Sequence, residues 1–168
     1  MQRVLVVGSS GAGKSTFSRR LHELTGLELI HLDRHYHKPD WGQPTDEEWR
    51  STVEKLISKD SWIMDGNFGG TMSLRMTRCD TVFWLDLPRT ICMWRIFKRL
   101  VTYYHRTRPD MAEGCHERFD WEFTKFVWNF PNKTRPRIER RMNDASGIDV
   151  IRFTSSREIS EYLEGFKK

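Results

Sequence analysis

The sequence has few of the features that mark secreted, membrane-spanning or disulfide-stabilised proteins. It has only three cysteines, Cys79, Cys92 and Cys115, and no C-x-x-C pair. This pattern indicates reduced thiols, so we expect a cytoplasmic protein. No apolar run approaches the length of a membrane span, and the apolar run at the N-terminus is too short for a signal peptide. We therefore expect neither a membrane partner nor a cleaved leader.

Internal repeats, low-complexity segments, helix-turn-helix and zinc-finger motifs and long basic tails are also absent from the sequence. The 168 residues suit a single domain, which we expect to span 1–168, and the sequence carries no signal for an oligomeric state. The net charge of +5 favours acidic partners such as nucleotides, phosphates or nucleic acid.

Short apolar runs alternate with segments of helical periodicity along the chain. The runs predict strands at 3–8, 27–33, 61–67, 80–88 and 149–155. The other segments predict helices at 15–26, 45–58, 89–104, 117–130, 135–142 and 156–168. This alternation predicts an α/β fold with a five-stranded parallel sheet and helices on both faces. Such sheets bind ligands beyond the carboxyl ends of their strands, where we expect Asp33, Asp65 and Asp86 to lie.

The strongest motif is the segment "GSSGAGKST" at 8–16, which fits G-x-x-x-x-G-K-[ST]. It follows a predicted strand and opens a predicted helix, which is the context that a phosphate-binding loop requires. In such a loop Lys14 reaches the β- and γ-phosphates and the Ser15 hydroxyl ligates Mg²⁺. We therefore predict ATP and Mg²⁺ as cofactors, with the phosphates bound by Gly8, Ser9, Ser10, Gly11, Ala12, Gly13, Lys14, Ser15 and Thr16. The alternative is a glycine-rich turn that binds no ligand.

A phosphate-binding loop of this kind is shared by ATPases, GTPases and small-molecule kinases, so the motif alone does not identify the reaction. A GTPase would normally carry a guanine-reading N-K-x-D motif, and the segment "NKTR" at 132–135 lacks the aspartate. The chain is also too short for the machinery of a helicase or a transporter. A small kinase that phosphorylates a small-molecule acceptor fits these restrictions best.

Several blocks resemble the nucleoside and nucleotide kinase branch of the P-loop proteins. The segments "HLDRHYHKPDW", "WIMDGNFGGTMSLR", "RPDMAEGCHERFDWEF" and "KTRPRI" are similar to those of small bacterial adenylate-kinase-like proteins known as DNA topology modulation proteins. The resemblance implies a nucleotide-kinase-like P-loop fold with a lid, and transfer of the γ-phosphate of Mg-ATP to a nucleoside, nucleotide or similar acceptor. The alternative is a nucleic-acid-associated ATP-dependent protein with little kinase activity.

Asp33 is the candidate catalytic base in the first of these blocks. Asp33 and Tyr36 match the L-D-x-x-Y block of uridine kinases, whose aspartate activates the acceptor hydroxyl. A carboxylate across a cleft from Lys14 can orient that hydroxyl and accept its proton. The alternatives are a helix-capping or turn aspartate and a metal site shared with His31 and His35. We expect the histidines to lie on the surface or to contact the acceptor.

The resemblance to adenylate kinases assigns further residues to ATP and Mg²⁺. Asp65 matches the aspartate that holds Mg²⁺ through water, but the phosphate-binding arginine of that block is absent. Arg75 or Arg78, from the next helix, is the candidate to replace it, and the alternative for both is a solvated surface charge. Arg95 and Arg99 match arginines that contact the adenine and the phosphates, and their spacing of four places both on one helix face. Such a pair suits the charge of a transferred phosphoryl group. A solvated basic face is the alternative.

The segment 105–117 is the expected lid. It reads as a loop that carries Arg106 and Arg108. Arg135 and Arg137, in the "KTRPRI" block, are expected to close on the phosphates from the far side. Closure of such a lid excludes water and limits wasteful ATP hydrolysis.

Aromatic residues crowd the segment that follows the expected lid. Trp121 and Trp128 lie seven residues apart and are candidates to line the acceptor pocket and stack on a base. The residues that recur here at helical spacing are expected to pack in the core, and they are Phe119, Phe123, Phe126, Val127 and Phe130.

Overall fold

The central sheet has five parallel strands in the order β2-β3-β1-β4-β5. The computed structural model describes residues 1–107 and 109–166, and its strands are β1 (Arg3–Gly8), β2 (Leu29–His31), β3 (Trp62–Asp65), β4 (Thr81–Leu85) and β5 (Asp149–Phe153). The prediction of an α/β fold with a five-stranded parallel sheet is confirmed. Arg108 of the expected lid lies outside the described residues, as do residues 167–168 at the end of the last predicted helix.

Both faces of the sheet are buried. β1 runs through its middle, and residues 4–7 of this strand have no exposed surface. Successive side chains of a strand point to opposite faces, so that Leu5 and Trp84 pack in the core on one face while Val4 and Phe83 pack in the core on the other. This burial on two sides explains why β1, β3 and β4 are continuous apolar runs in the sequence rather than alternating ones.

Local sequence signals set several helix ends. Thr45 and Glu48 form the expected capping box, and Gly26 ends the first helix in the left-handed conformation. The described helices are α1 (Lys14–Thr25), α2 (Leu32–Tyr36), α3 (Asp46–Ile57), α4 (Gly69–Met76), α5 (Arg89–Tyr103), α6 (Trp121–Lys133), α7 (Arg135–Asn143) and α8 (Ser156–Gly165), with a 3-10 turn at Pro39–Trp41. None of these helices has the length and apolar character needed to cross a membrane.

The structure differs from the prediction at two places near the carboxyl edge of the sheet. β2 ends at His31, and Asp33 lies in the first turn of α2 rather than at the end of a strand. The strand stops there because its pairing with β3 ends at the His31–Asp65 pair, where β3 itself ends. α4 begins with two glycines, which have low helix propensity, and the sequence therefore gave no bounds for the helix that was expected to carry Arg75 or Arg78.

Candidate active site

The loop between β1 and α1 forms a cradle at the carboxyl end of the central strand. Gly11 and Gly13 have positive φ angles of 81° and 98°, a conformation that favours glycine. A side chain at Gly11 would also collide with α5, since its Cβ would lie 2.3 Å from the carbonyl oxygen of Cys92. α1 begins at Lys14 without a side-chain cap from the described residues. Its first N–H groups are therefore available to an anion such as phosphate.

The cradle lies at one end of a cavity of about 690 Å³. The other walls come from the segment after β2, the end of β3, one face of α5 and the segment that leads into α6. The side chains in these walls include Lys14, Ser15, Asp33, Asp65, Arg95, Arg99, Tyr103, Asp110, Met111, Glu117 and Phe123. The structure thus brings the four predicted catalytic residues, Lys14, Asp33, Arg95 and Arg99, to one cavity.

Lys14 is held by the cradle close to two carboxylates. Its ammonium group donates a hydrogen bond to the carbonyl oxygen of Ser9 at 3.1 Å. Burial lowers the pKa of Lys14 below its ordinary value, and the negative charges of Asp33 and Asp65 oppose this shift. The negative charge of a phosphate in the cradle would likewise raise the pKa of Lys14 and keep its ammonium group protonated. The partly buried ammonium group therefore favours an anionic ligand.

Asp65 is buried at the end of β3 and accepts a hydrogen bond from His31. His31 Nδ1 lies 2.9 Å from Asp65 Oδ1, and 5% of Asp65 is exposed. The second carboxylate oxygen, Oδ2, is buried and has no hydrogen-bond partner among the described residues. A buried polar atom without a partner costs about 1–3 kcal/mol, which points to a ligand at this oxygen. His31 is buried, so the surface position is wrong for this histidine, and contact with the acceptor stays a prediction. Its bond to Asp65 depends on the register of β2 on β3.

Ser15 and Asp65, the residues predicted to hold Mg²⁺, line the same cavity. Ser15 Oγ donates a hydrogen bond to Asp110 Oδ2 at 2.9 Å, which leaves its own lone pairs for a cation. The hydroxyl oxygen of Ser15 and Oδ2 of Asp65 fit Mg²⁺, because this ion prefers oxygen ligands and keeps several of its waters. In the described part of the chain, no three or more His, Cys, Asp or Glu side chains are placed to hold a metal together.

Arg95 and Arg99 project from α5 into the same cavity. Arg95 donates hydrogen bonds to the carbonyl oxygen of Ala12 at 3.1 Å and to Ser156 Oγ at 2.9 Å. Arg99 pairs with Glu117, at 2.8 Å, at the end of the expected lid. Arg95 is therefore fixed against the cradle, whereas Arg99 joins α5 to the lid.

A second cavity, of about 540 Å³, shares part of its wall with the first. The shared residues are Gly13, Thr16 and Arg95. The remaining wall residues are Ala12 of the cradle and residues of α1 and α8, which include the apolar side chains of Phe17, Ile159 and Leu163. The two cavities therefore meet at the cradle and at Arg95.

Two residues hold the cradle from behind, in roles that the sequence did not indicate. The side chain of Asn67 accepts a hydrogen bond from the Gly8 N–H at 3.0 Å and donates one to the Gly8 carbonyl oxygen at 2.8 Å. Arg75 is fully buried and donates to the carbonyl oxygens of Gly66, Asn67 and Phe68. Burial lowers the pKa of Arg75 to about 9. Arg75 therefore fixes the turn that carries Asn67, and it lies neither at the surface nor in the cavity wall.

The expected lid lies against the first cavity. Its residue Asp110 reaches Ser15 of the cradle, as described above. On its other side the lid contacts the connection between α2 and α3. Trp41 Nε1 donates to the carbonyl oxygen of His116 at 3.2 Å, and the thiol of Cys115 lies 3.3 Å from the carbonyl oxygen of Lys38. The described part of 105–117 therefore bridges the cradle and the segment that follows Asp33.

The structure does not bring Arg135 or Arg137 to either described cavity. Arg135 pairs with Asp86 at 3.0 Å, and Asp86 also accepts a hydrogen bond from Arg152 at 3.0 Å. These ion pairs lie beyond the end of β4. The contact of Arg135 and Arg137 with phosphates stays a prediction, and Asp86 does not line a cavity with Asp33 and Asp65.

The aromatic residues of the cavity are not the predicted tryptophans. Trp121 is 59% exposed, and Trp128 packs under a guanidinium group of α5. Phe123 lines the cavity with Trp41 and Tyr103. Successive residues of a helix are about 100° apart, so Phe123 is about 200° from Trp121 and faces a different side of α6. Of the residues in this segment that were expected in the core, Val127 and Phe130 are buried, Phe123 is partly buried, and Phe119 and Phe126 are exposed.

Comparison with known proteins supports the fold assignment. No protein-family model matches the chain, and no curated protein matches it. The structure is similar to that of "Shikimate kinase from Acinetobacter baumannii in complex with shikimate", with a TM-score of 0.59 and 16% sequence identity, over 99% of this chain and 91% of that chain. The chain therefore has the α/β fold of the P-loop kinases, with the sheet order 2-3-1-4-5.

Proposed function

We propose that this chain is an ATP-dependent kinase that transfers the γ-phosphate of Mg-ATP to a nucleoside, nucleotide or similar small acceptor. The observation that carries the proposal is the presence of Lys14, Asp33 and Asp65 in one cavity at the end of a glycine-rich cradle. The cavity volume of about 690 Å³ is typical of small-molecule sites. The fold supports the proposal, since the similar structure is that of a kinase.

ATP would span the two cavities that meet at the cradle. Its phosphates would bind the N–H groups at the start of α1, next to the ammonium group of Lys14. Its base would lie in the second cavity, between Arg95 and apolar residues of α8 such as Ile159. Ser15 and Asp65 would hold Mg²⁺, which when bound neutralises part of the phosphate charge.

Asp33 is the proposed catalytic base. It lines the cavity and acts electrostatically on Lys14, so it would lie near phosphates bound in the cradle. The acceptor oxygen would form a bond to the γ-phosphorus while the bond from this phosphorus to the bridging oxygen of ADP breaks, and Asp33 would take the hydroxyl proton. Lys14, Arg95 and Arg99 would stabilise the negative charge on the transferred group.

The lid would close this site to water. We propose that 1–168 forms one domain and that 105–117 is a lid within it. Met111 and Asp110 line the cavity from this side, and Met111 is almost completely buried. A closed lid would keep water away from the γ-phosphate and so favour transfer to the acceptor over hydrolysis.

A screen for ADP release from Mg-ATP in the presence of nucleosides, nucleotides and small hydroxyl compounds tests the proposal. We expect one class of acceptor to raise ADP release well above the rate without acceptor. Lys14→Ala is the matched control, and it should lower the stimulated rate by about 10²–10³-fold while thermal unfolding reports an intact fold. The proposal fails if no acceptor stimulates a protein that binds ATP, or if Lys14→Ala keeps full activity.

A further inference from the structure

We propose that His31 is a positioning residue that orients the carboxylate of Asp65 so that its Oδ2 atom faces the hydrated Mg²⁺ of the nucleotide. This inference rests on the proposed function, in which Asp65 holds that ion through water. It gives a role to the first histidine of the "HLDRHYH" segment, for which the sequence alone offered only a surface position, an acceptor contact or a metal site.

The geometry of the sheet brings the two side chains together. His31 and Asp65 are register partners at the carboxyl ends of β2 and β3, and side chains at paired positions of neighbouring strands point to the same face. The distance of 2.9 Å from Nδ1 to Oδ1 is that of a normal hydrogen bond. A carboxylate can only accept, so Nδ1 carries the hydrogen and donates it.

This hydrogen bond leaves Asp65 one oxygen for a ligand. Rotation of a carboxylate about its last side-chain bond is broad, and the bond to His31 restricts it by holding Oδ1. Oδ2 is then buried with no hydrogen-bond partner in the part of the chain that the structure describes. Asp65 also lies in the wall of the cavity near Lys14. A water of a hydrated cation would satisfy this oxygen.

Outer-shell hydrogen bonds of this kind commonly contribute a factor of about 10–100 to metal affinity or activity. The other histidines of the segment are placed differently: His37 lines the cavity, whereas His35 is exposed and does not. His35 therefore provides a matched control for a histidine substitution in the same segment.

The test compares the affinity for a non-hydrolysable ATP analogue with and without Mg²⁺, measured by calorimetry. His31→Leu should lower the enhancement of affinity by Mg²⁺ about 10–100-fold and leave the affinity without Mg²⁺ unchanged. His31→Asn should retain most of the enhancement, because the asparagine amide can donate from the position of Nδ1. His35→Leu should behave as the parent protein. A normal Mg²⁺ enhancement in folded His31→Leu would overturn the inference.

A double-mutant cycle with Asp65→Asn shows whether His31 acts through Asp65. In the Asp65→Asn background, His31→Leu should have no further effect on the Mg²⁺ enhancement, and an additive effect would overturn the inference. A normal enhancement in Asp65→Asn alone would instead refute the Mg²⁺ assignment of the proposed function. If His31→Leu does not fold, His31→Gln replaces it, because the glutamine amide donates from the position of Nε2 and not from that of Nδ1. An equal Mg²⁺ enhancement in His31→Gln and His31→Asn would then overturn the inference.

Discussion

Asn67 offers a direct test of how the cradle is held in place. Its side chain makes two hydrogen bonds to the backbone of Gly8, one to the N–H and one to the carbonyl oxygen. Gly8 is itself buried, so water does not readily replace these bonds. Asn67→Ala removes both bonds at once and leaves the glycine residues of the cradle unchanged.

The size of the effect follows from these two bonds. Each buried hydrogen bond contributes about 1 kcal/mol of net stability, so Asn67→Ala should lower the free energy of unfolding by about 2 kcal/mol. For a chain of this length that corresponds to a fall in Tm of about 4–8 °C. ATP binding must then also order the loosened cradle, and we expect an affinity loss of about tenfold, or about 1.4 kcal/mol.

Differential scanning calorimetry and equilibrium binding of ATP measure the two effects. Asn129→Ala is the matched control: within residues 1–107 and 109–166, the Asn129 side chain donates only to the carbonyl oxygen of Lys125 in its own helix, and it does not line either cavity. This control should change Tm and ATP affinity little. An Asn67→Ala protein with the Tm and the ATP affinity of the parent would refute the view that Asn67 holds the cradle.

Three further predictions concern the chemistry and the partners. Asp33→Asn should keep ATP binding but lower the transfer rate by about 10²–10⁴-fold, since an amide cannot accept the hydroxyl proton, and His35→Ala should be milder; a normal transfer rate in Asp33→Asn would exclude Asp33 as the base. Asp110→Ala should raise the ratio of ATP hydrolysis to transfer, because the expected lid loses its contact with the cradle. Glu113→Ala, at an exposed position of the same segment, should leave this ratio unchanged. The same ratio in both variants would contradict a role of Asp110 in closing the site. Any DNA binding should be weak and lost on addition of salt in a filter-binding assay, and sequence-specific binding at high salt would favour the nucleic-acid alternative.

The elements that the sequence predicted well are those set by local signals. β1, β3 and β4 are buried on both sides, so their apolar runs are continuous and easy to recognise. The spacing of the glycines, Lys14 and Ser15 was enough to recognise the cradle, and Gly11 has the positive φ angle that such a loop requires of a glycine. The capping box at Thr45 and Glu48 is also local, and it marked the start of α3 correctly.

The parts that the sequence did not predict depend on contacts between distant residues. Asn67 contacts Gly8 across 59 positions, and Ser15 contacts Asp110 across 95. The His31–Asp65 bond depends on where β2 stops, which the edge pairing with β3 sets and the local sequence does not. Such pairs are determined by the register and packing of the whole fold.

Arg75 shows the same limit for a single side chain. An arginine on a short helix reads in the sequence as a surface charge or as a phosphate ligand. Only the folded chain places it inside the protein, where the carbonyl oxygens of residues 66–68 surround its guanidinium group. The two glycines at the start of α4 leave the bounds of this helix unmarked in the sequence.

The contact between the lid and the connection after α2 has a kinetic consequence. Trp41 and Lys38 belong to the segment that follows Asp33, and their partners His116 and Cys115 belong to the lid. On the proposed function, these two contacts would make the acceptor side and the nucleotide side of the cavity open together, so that both products would leave in the same motion. When such a motion limits the cycle, turnover depends on the viscosity of the solvent, while the chemical step measured in a single turnover does not.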